Sequence, residues 1–404
     1  MAVTTETAPY YDPYDVDITA DPYPALRRLR EQAPLYYNER YDFYALSRYA
    51  DVEAALGDRE TFISGKGNVL ELIKADVQQP SGTLIYEDPP AHTVHRKLVA
   101  RLFSPRRVSA LEPQIREFTV ECLDRLEGVD QFDFIADIGA QIPMQVIGML
   151  MGVPPEDRRT IREHVDGYLR TEPGKPMKFA KGDTWKPGRK LSTIFGDYID
   201  WRAQHPSDDV MTELLNAEFE DEHGVTRKLT RDEILMYVNI IAGAGNETTN
   251  RLIGWSAKLL AEHPDQRRQL VENPSLIGDA IEEVLRFDSP GPVTGRYVAK
   301  DVELHGKTVP AGSAMLLLSH SANRDDRRFP DPDRFDIHRK PTGHLAFGLG
   351  GHFCLGASLA RLEGRVVLEE VLKRIPEWQV DLAQARMSPA SVVRGWESLP
   401  VTVG

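Results

Sequence analysis

The hydrophobic pattern of this chain is mainly helical. Leu355, Leu359, Leu362, Val366 and Val367 recur at helical spacing, with Arg361, Glu363 and Arg365 between them. A longer run opens on Thr230-Arg231-Asp232-Glu233, a capping-box pattern, and continues to His263-Pro264, where proline stops it. A helix of that length spans about 50 Å, at about 1.5 Å per residue, and only the core of a large domain accommodates it. Asn273-Pro274 predicts another helix start, with Asn as cap and Pro in the first turn, ending near Phe287-Asp288-Ser289-Pro290. Helical patterns dominate from about Pro113 to Pro264. Strands are predicted at Phe43-Tyr44-Ala45-Leu46, in short runs between Arg296 and Pro310 (Val302-Glu303-Leu304 before His305-Gly306), and from Ser391 to Val403. The pattern is mainly α with a small mixed β region.

Composition narrows the class. The chain has 404 residues and a formal charge of −13, which argues against general nucleic-acid binding. Its two cysteines, Cys122 and Cys354, lie far apart, which suggests a reducing compartment and no disulfide. The polar, acidic start lacks the pattern of a signal peptide. No segment approaches about 18 consecutive apolar residues. A soluble, cytoplasmic protein is the expectation.

The most informative stretch is Phe347-Gly348-Leu349-Gly350-Gly351-His352-Phe353-Cys354-Leu355-Gly356. One thiol stands before a predicted helix, behind glycines that let backbone approach a ligand and donate N–H groups to sulfur. The helix terminus is expected to lower the thiol pKa. Structural zinc needs about four protein ligands, and iron–sulfur clusters fail on the same count. A lone axial thiolate on haem iron remains. The spacing Phe-Gly-x-Gly-x-His-x-Cys-Leu-Gly resembles the haem-binding signature of the cytochrome P450 family, with every fixed position matched.

That resemblance extends over nearly the whole chain. It implies the family's fold, a triangular prism-like helical domain with short β-sheets, formed as one domain over residues 1–404. Residues 1–20 would be a tail, and 63–87 and 170–189 access loops. It implies haem b held by Cys354, with Phe347, Gly348 and Ala244 against the cofactor. Within the long helix, Ala242-Gly243-Ala244-Gly245-Asn246-Glu247-Thr248-Thr249 is similar to the family's oxygen-activation motif. Each glycine there costs about 1 kcal/mol relative to alanine, so either close helix packing or a ligand groove must justify it. By the match, Glu247 relays protons and Thr248 assists oxygen activation, with its hydroxyl bending the local hydrogen bonding. Glu283, Arg286 and Arg334 look like the family's structural triad. Buried haem carboxylates need neutralising, and His92, Arg96, Arg296 and His352 match the family's propionate clamp. Val293, Thr294 and Trp396 match positions that often line the substrate pocket, which suggests an apolar substrate.

The implied activity is a monooxygenase that inserts one atom of O2 into an apolar molecule, such as a lipid, steroid, terpenoid or polyketide. No dinucleotide fingerprint or flavin domain accompanies it, so electrons would come from a ferredoxin and its reductase. Between His95 and Arg107 stand Arg96, Lys97, Arg101, Arg106 and Arg107 with no acidic residue, a reversal on an acidic chain that suits an acidic ferredoxin. A peroxide-driven peroxygenase and a non-catalytic haem-based binder of small molecules remain alternatives.

Overall fold

The computed structural model describes residues 8–161, 174–179, 181, 189–388 and 392–403. Strands β1 (Leu35–Asn38), β2 (Phe43–Leu46), β3 (Phe62–Ile63), β4 (Thr294–Val298) and β5 (Ala314–Leu317) form a five-stranded sheet in the order β1-β2-β5-β4-β3. Only the β5–β2 pairing is parallel, with Leu317 opposite Leu46. All four residues of β5 are buried, as expected of a central strand covered on both faces. Val302–Leu304 and Lys307–Val309 form the hairpin foreshadowed by His305-Gly306. Both turn residues have positive φ, +50° and +71°, which a two-residue turn of this hand requires.

Four helices position the site. They are α1 (Ala91–Ala100), α2 (Arg231–Glu262), α3 (Ile277–Phe287) and α4 (Ala357–Arg374). The capping box of α2 is complete: Glu233 N–H donates to Thr230 Oγ1 at 3.2 Å, and Thr230 N–H donates to Glu233 Oε2 at 2.8 Å. Pro264 opens the next helix, so α2 ends at Glu262. Asn273 caps a single 3₁₀ turn, Pro274–Leu276, and α3 follows it. The largest apolar cluster joins Leu252, Ile253 and Trp255 of α2, Ile281 and Val284 of α3, and Val366 and Val367 of α4. Gly364 allows the close approach: a Cβ there would meet Ile281 at 3.0 Å and Leu252 at 3.4 Å. Among the described residues, no single helix is long and apolar enough to cross a membrane.

Two regional expectations change. Residues 8–20 are packed down, with Tyr11 and Tyr14 buried and Asn38 Nδ2 donating to the Tyr11 carbonyl at 2.9 Å. The 63–87 segment includes a helix, Leu70–Ala75, that buries Leu70, Leu72 and Ile73. The 170–189 segment lies largely outside the described residues. Its 174–179 piece reaches the other segment, where Met177 N–H donates to Glu71 Oε1 at 3.3 Å.

Candidate functional site

The cysteine loop is shaped by backbone that few residues tolerate. Gly348 and Gly350 have φ of +69° and +70°, and a Cβ on Gly350 would press the Leu56 carbonyl at 3.2 Å. The Cys354 N–H donates to the Phe347 carbonyl at 2.8 Å, which closes the loop three residues before α4 begins. Cys354 is exposed by area, yet protein surrounds its sulfur closely enough for burial to raise the thiol pKa. Its exposure is therefore to a hollow rather than to open solvent. The Gly356 N–H, Arg96 and Arg361 pull the other way and do not prevail. The expected lowering of the pKa by the helix terminus is thus corrected for the protein alone, because desolvation outweighs those donors. A coordinated metal deprotonates a thiol outright.

The basic groups converge beside this loop. The His92 and His352 rings lie tilted against each other with centroids 4.1 Å apart, and Arg96 Nη2 donates to the Phe353 carbonyl at 2.5 Å. Burial, with His92, Arg296 and Arg96 nearby, lowers the His352 pKa to about 3. Arg296 is buried, and burial lowers its pKa to about 10. Its guanidinium donates to the Gly295 carbonyl at 2.9 Å, and it pairs with no carboxylate among the described residues. His92 Nε2 is buried without a partner. Asp88 acts on both Arg296 and His92 from a distance, but neither is in a salt bridge among the described residues, which leaves room for an anionic ligand. A flat cofactor carrying two carboxylates and a metal that takes a single thiolate fits this donor set.

Helix α2 offers a second wall. Ala244 is exposed although Ala242 and Asn246 beside it are buried, so the helix faces open space at mid-length. A Cβ on Gly243 would meet nothing within 4 Å. A Cβ on Gly245 would lie 2.6 Å from Ile147 Cδ1. The two glycines therefore answer to different needs, the first to a groove and the second to close packing. Thr248 Oγ1 donates to the Ala244 carbonyl at 2.7 Å. Glu247 is buried, with Oε1 paired to Arg251 Nη2 at 2.7 Å and Oε2 without a partner.

The structural triad is only partly as expected. Arg286 forks onto Glu283 with two bonds of 2.7 Å, and both side chains are fully buried. The second arginine on Glu283 is Arg339, whose Nε lies 3.1 Å from Oε1. Arg334 is corrected out of this role: its side chain is 68% exposed and pairs with Asp336 at 2.6 Å. The turn at Asp331, with φ of +48°, turns Arg334 outward, and the chain returns to Glu283 five residues later. Arginine type and proximity in sequence could not separate the two. Asn323 joins this frame to the cysteine loop, since its carbonyl accepts from Arg286 and its Oδ1 accepts from Leu345 N–H. Sequence reasoning also missed a second frame. Glu282 binds Arg361 of α4 at 2.5 Å and His344 of the loop at 3.0 Å. Burial opposes these bonds, yet His344 and Arg361 lower the Glu282 pKa to about 2. Arg361 also lies over the Phe347 ring at 4.5 Å.

The expected pocket residues separate. Val293 and Thr294 are half-buried around the start of β4. Trp396 stacks edge-on to Trp255 at 5.5 Å and belongs to the core packing around α2.

Comparison with known proteins adds an independent result. A family model described as Cytochrome P450 matches residues 197–389. A Mycobacterium tuberculosis protein named cytochrome P450 123 is 38% identical over 394 residues, covering 97% of this chain and 96% of that protein. The vitamin D(3) 25-hydroxylase of Pseudonocardia autotrophica is 37% identical, covering 100% of this chain and 99% of that protein. Among solved structures, CYP109Q5 from Chondromyces apiculatus has a TM-score of 0.85 and 34% identity, covering 98% of this chain and 99% of that one.

Proposed function

The chain belongs to the cytochrome P450 family of haem-thiolate monooxygenases, and from that premise we propose that Cys354 is its axial ligand and that the hollow beside α2 receives an apolar organic substrate. When bound, the haem b supplies oxygen activation and the oxidising power for inserting one oxygen atom. The protein's own residues then have separable tasks. His92, Arg96, Arg296 and His352 hold the two cofactor carboxylates, which gives Arg296 a directly bonded anion in addition to the more distant Asp88. Phe347 and Gly348 shape the loop under the sulfur, and Ala244 keeps the opposite wall shallow. Glu283, Arg286 and Arg339 fix the loop without touching the reacting atoms. Glu247 Oε2, buried and unpaired, is the atom that takes up a proton relayed from solvent and hands it on toward Thr248 Oγ1. Arg251 holds the other carboxylate oxygen and so orients Oε2.

The substrate class comprises lipids, steroids, terpenoids and polyketide-like molecules. A sterol-like member agrees with the activity for which the Pseudonocardia relative is named. Val293 and Thr294 border the pocket, and Trp396 supports it from the core. Electrons come from a ferredoxin and its reductase, docking where Lys97, Arg101 and Arg106 are exposed. The reading includes a cytoplasmic location, supported by two free cysteines.

One observation carries this proposal: Cys354 keeps accessible area within close protein surroundings, and the buried Arg296 near His352 forms no salt bridge among the described residues. The test is the absorption spectrum of the reduced, carbon monoxide-treated protein. The wild type should give the strongly red-shifted Soret band of thiolate ligation, and Cys354→Ala should lose it. An unaltered band in the variant would refute the assignment.

A further inference from the structure

We propose that Glu87 and His95 form a proton-dependent brace that positions the Gly82–Asp88 segment beside the hollow and sets how readily a bulky ligand reaches it. The inference rests on the haem-site reading above. Glu87 joins three parts of the molecule. Its Oε1 accepts from Gly82 N–H at 2.8 Å. Both carboxylate oxygens meet His95 Nδ1 of α1, at 2.9 and 2.8 Å. Its backbone lies close to His352 of the cysteine loop. Asp88 closes the other end of the same segment, with its two oxygens accepting from Ser64 and Gly65 N–H, each at 2.8 Å. Residues 64–88 thus form a loop whose two ends meet at Glu87-Asp88, next to the helix that carries His92 and Arg96.

His95 is fully buried, on a face of α1 shared with Leu98 and Val99. An apolar residue would fill that position, so the imidazole needs a reason. Its surroundings are acidic. Glu87 faces it from the loop, Glu233 and Tyr237 from α2, and Glu222 from the hairpin turn between Glu218–Glu220 and Thr226–Lys228. Arg227 of the same hairpin is the nearby cation, and its charge is already shared between Glu233 and Asp221. Burial opposes the charged form, but these carboxylates prevail and raise the His95 pKa above its ordinary value near 6.5. Nε2 of His95 and Oη of Tyr237 are both buried without partners, with the ring centroids 6.0 Å apart.

The sign follows from which proton leaves. Below the ordinary histidine value the pair is imidazolium and carboxylate. As pH rises through the raised value, the Nε2 proton departs. The Nδ1–H bond to Glu87 remains, but it changes from an imidazolium–carboxylate ion pair to a hydrogen bond from a neutral imidazole to a carboxylate, which weakens it. The brace is therefore tight in acid and slack in alkali, and the loop it closes opens more often as pH rises.

The experiment uses the haem-loaded, reduced protein and phenyl isocyanide, a bulky neutral ligand of ferrous haem with no titration of its own in this range. Its association rate is followed by stopped flow at the Soret band, with carbon monoxide as the small control. Between about pH 6 and about pH 9 the wild-type isocyanide rate should rise about five-fold, and the carbon monoxide rate should change less than about two-fold. His95→Leu, which packs without titrating, and Glu87→Gln should each show a fast rate that is flat with pH. A flat wild-type profile would overturn the brace, and that arm needs no variant to fold. The same rise surviving in His95→Leu would also overturn it. An absence of any isocyanide band at every pH would instead refute the haem-site reading, and the brace's role with it.

Discussion

Arg334 and Arg339 lie five residues apart, yet one is exposed on Asp336 and the other returns to a buried carboxylate. Removing them separates a structural contact from a surface pair. Arg339→Ala should cost about 1–3 kcal/mol in denaturant unfolding, since a buried charge loses one charged hydrogen-bond partner while Arg286 remains. It should also lower the haem retained after purification. Arg334→Ala should leave both unchanged. Equal effects would restore Arg334 to the triad. Cys354 teaches a related lesson. Its place before a helix is visible in the sequence, but whether donors or desolvation govern its proton depends on how much protein surrounds the sulfur.

At the scale of elements, α2 combines two glycines whose reasons differ, though nothing in Ala242-Gly243-Ala244-Gly245 distinguishes them. Gly243→Ala should raise stability by up to about 1 kcal/mol, since helix propensity improves and no neighbour is met. It should also weaken binding of a bulky haem ligand, because the new methyl enters open space. Gly245→Ala should instead cost about 1 kcal/mol or more, as Ile147 is pushed from its packed position. Thermal melts and ligand titrations of the two variants check both statements, and the same response in each would contradict them. Elements with local signals were legible: the capping box of α2, the proline stop at 264, and the His305-Gly306 turn. The helix Leu70–Ala75 was not, because six residues carry too little periodic signal. Burial of Leu70, Leu72 and Ile73 accompanies it in the fold.

For the whole molecule, a net charge of −13 is reversed locally on one surface. Lys97, Arg101 and Arg106 are exposed, while Arg107 pairs with Glu213 at 2.5 Å. Replacing Lys97 and Arg101 together by Glu should slow reduction by a ferredoxin at low ionic strength, with the difference fading as the screening length falls to about 8 Å near physiological salt. Unchanged stopped-flow reduction at low salt would remove this surface from the docking site. The mainly helical class, the family and the identity of the candidate ligand were readable from the residue order. Periodicity, caps and the spacing around Cys354 are local along the chain, so they survive without coordinates. Which arginine completes the triad, which glycine borders open space, and that Glu282 ties the loop to the last long helix emerge only from the folded chain. Those outcomes depend on burial and on contacts between residues far apart in the chain, and neither is written in the order of the residues.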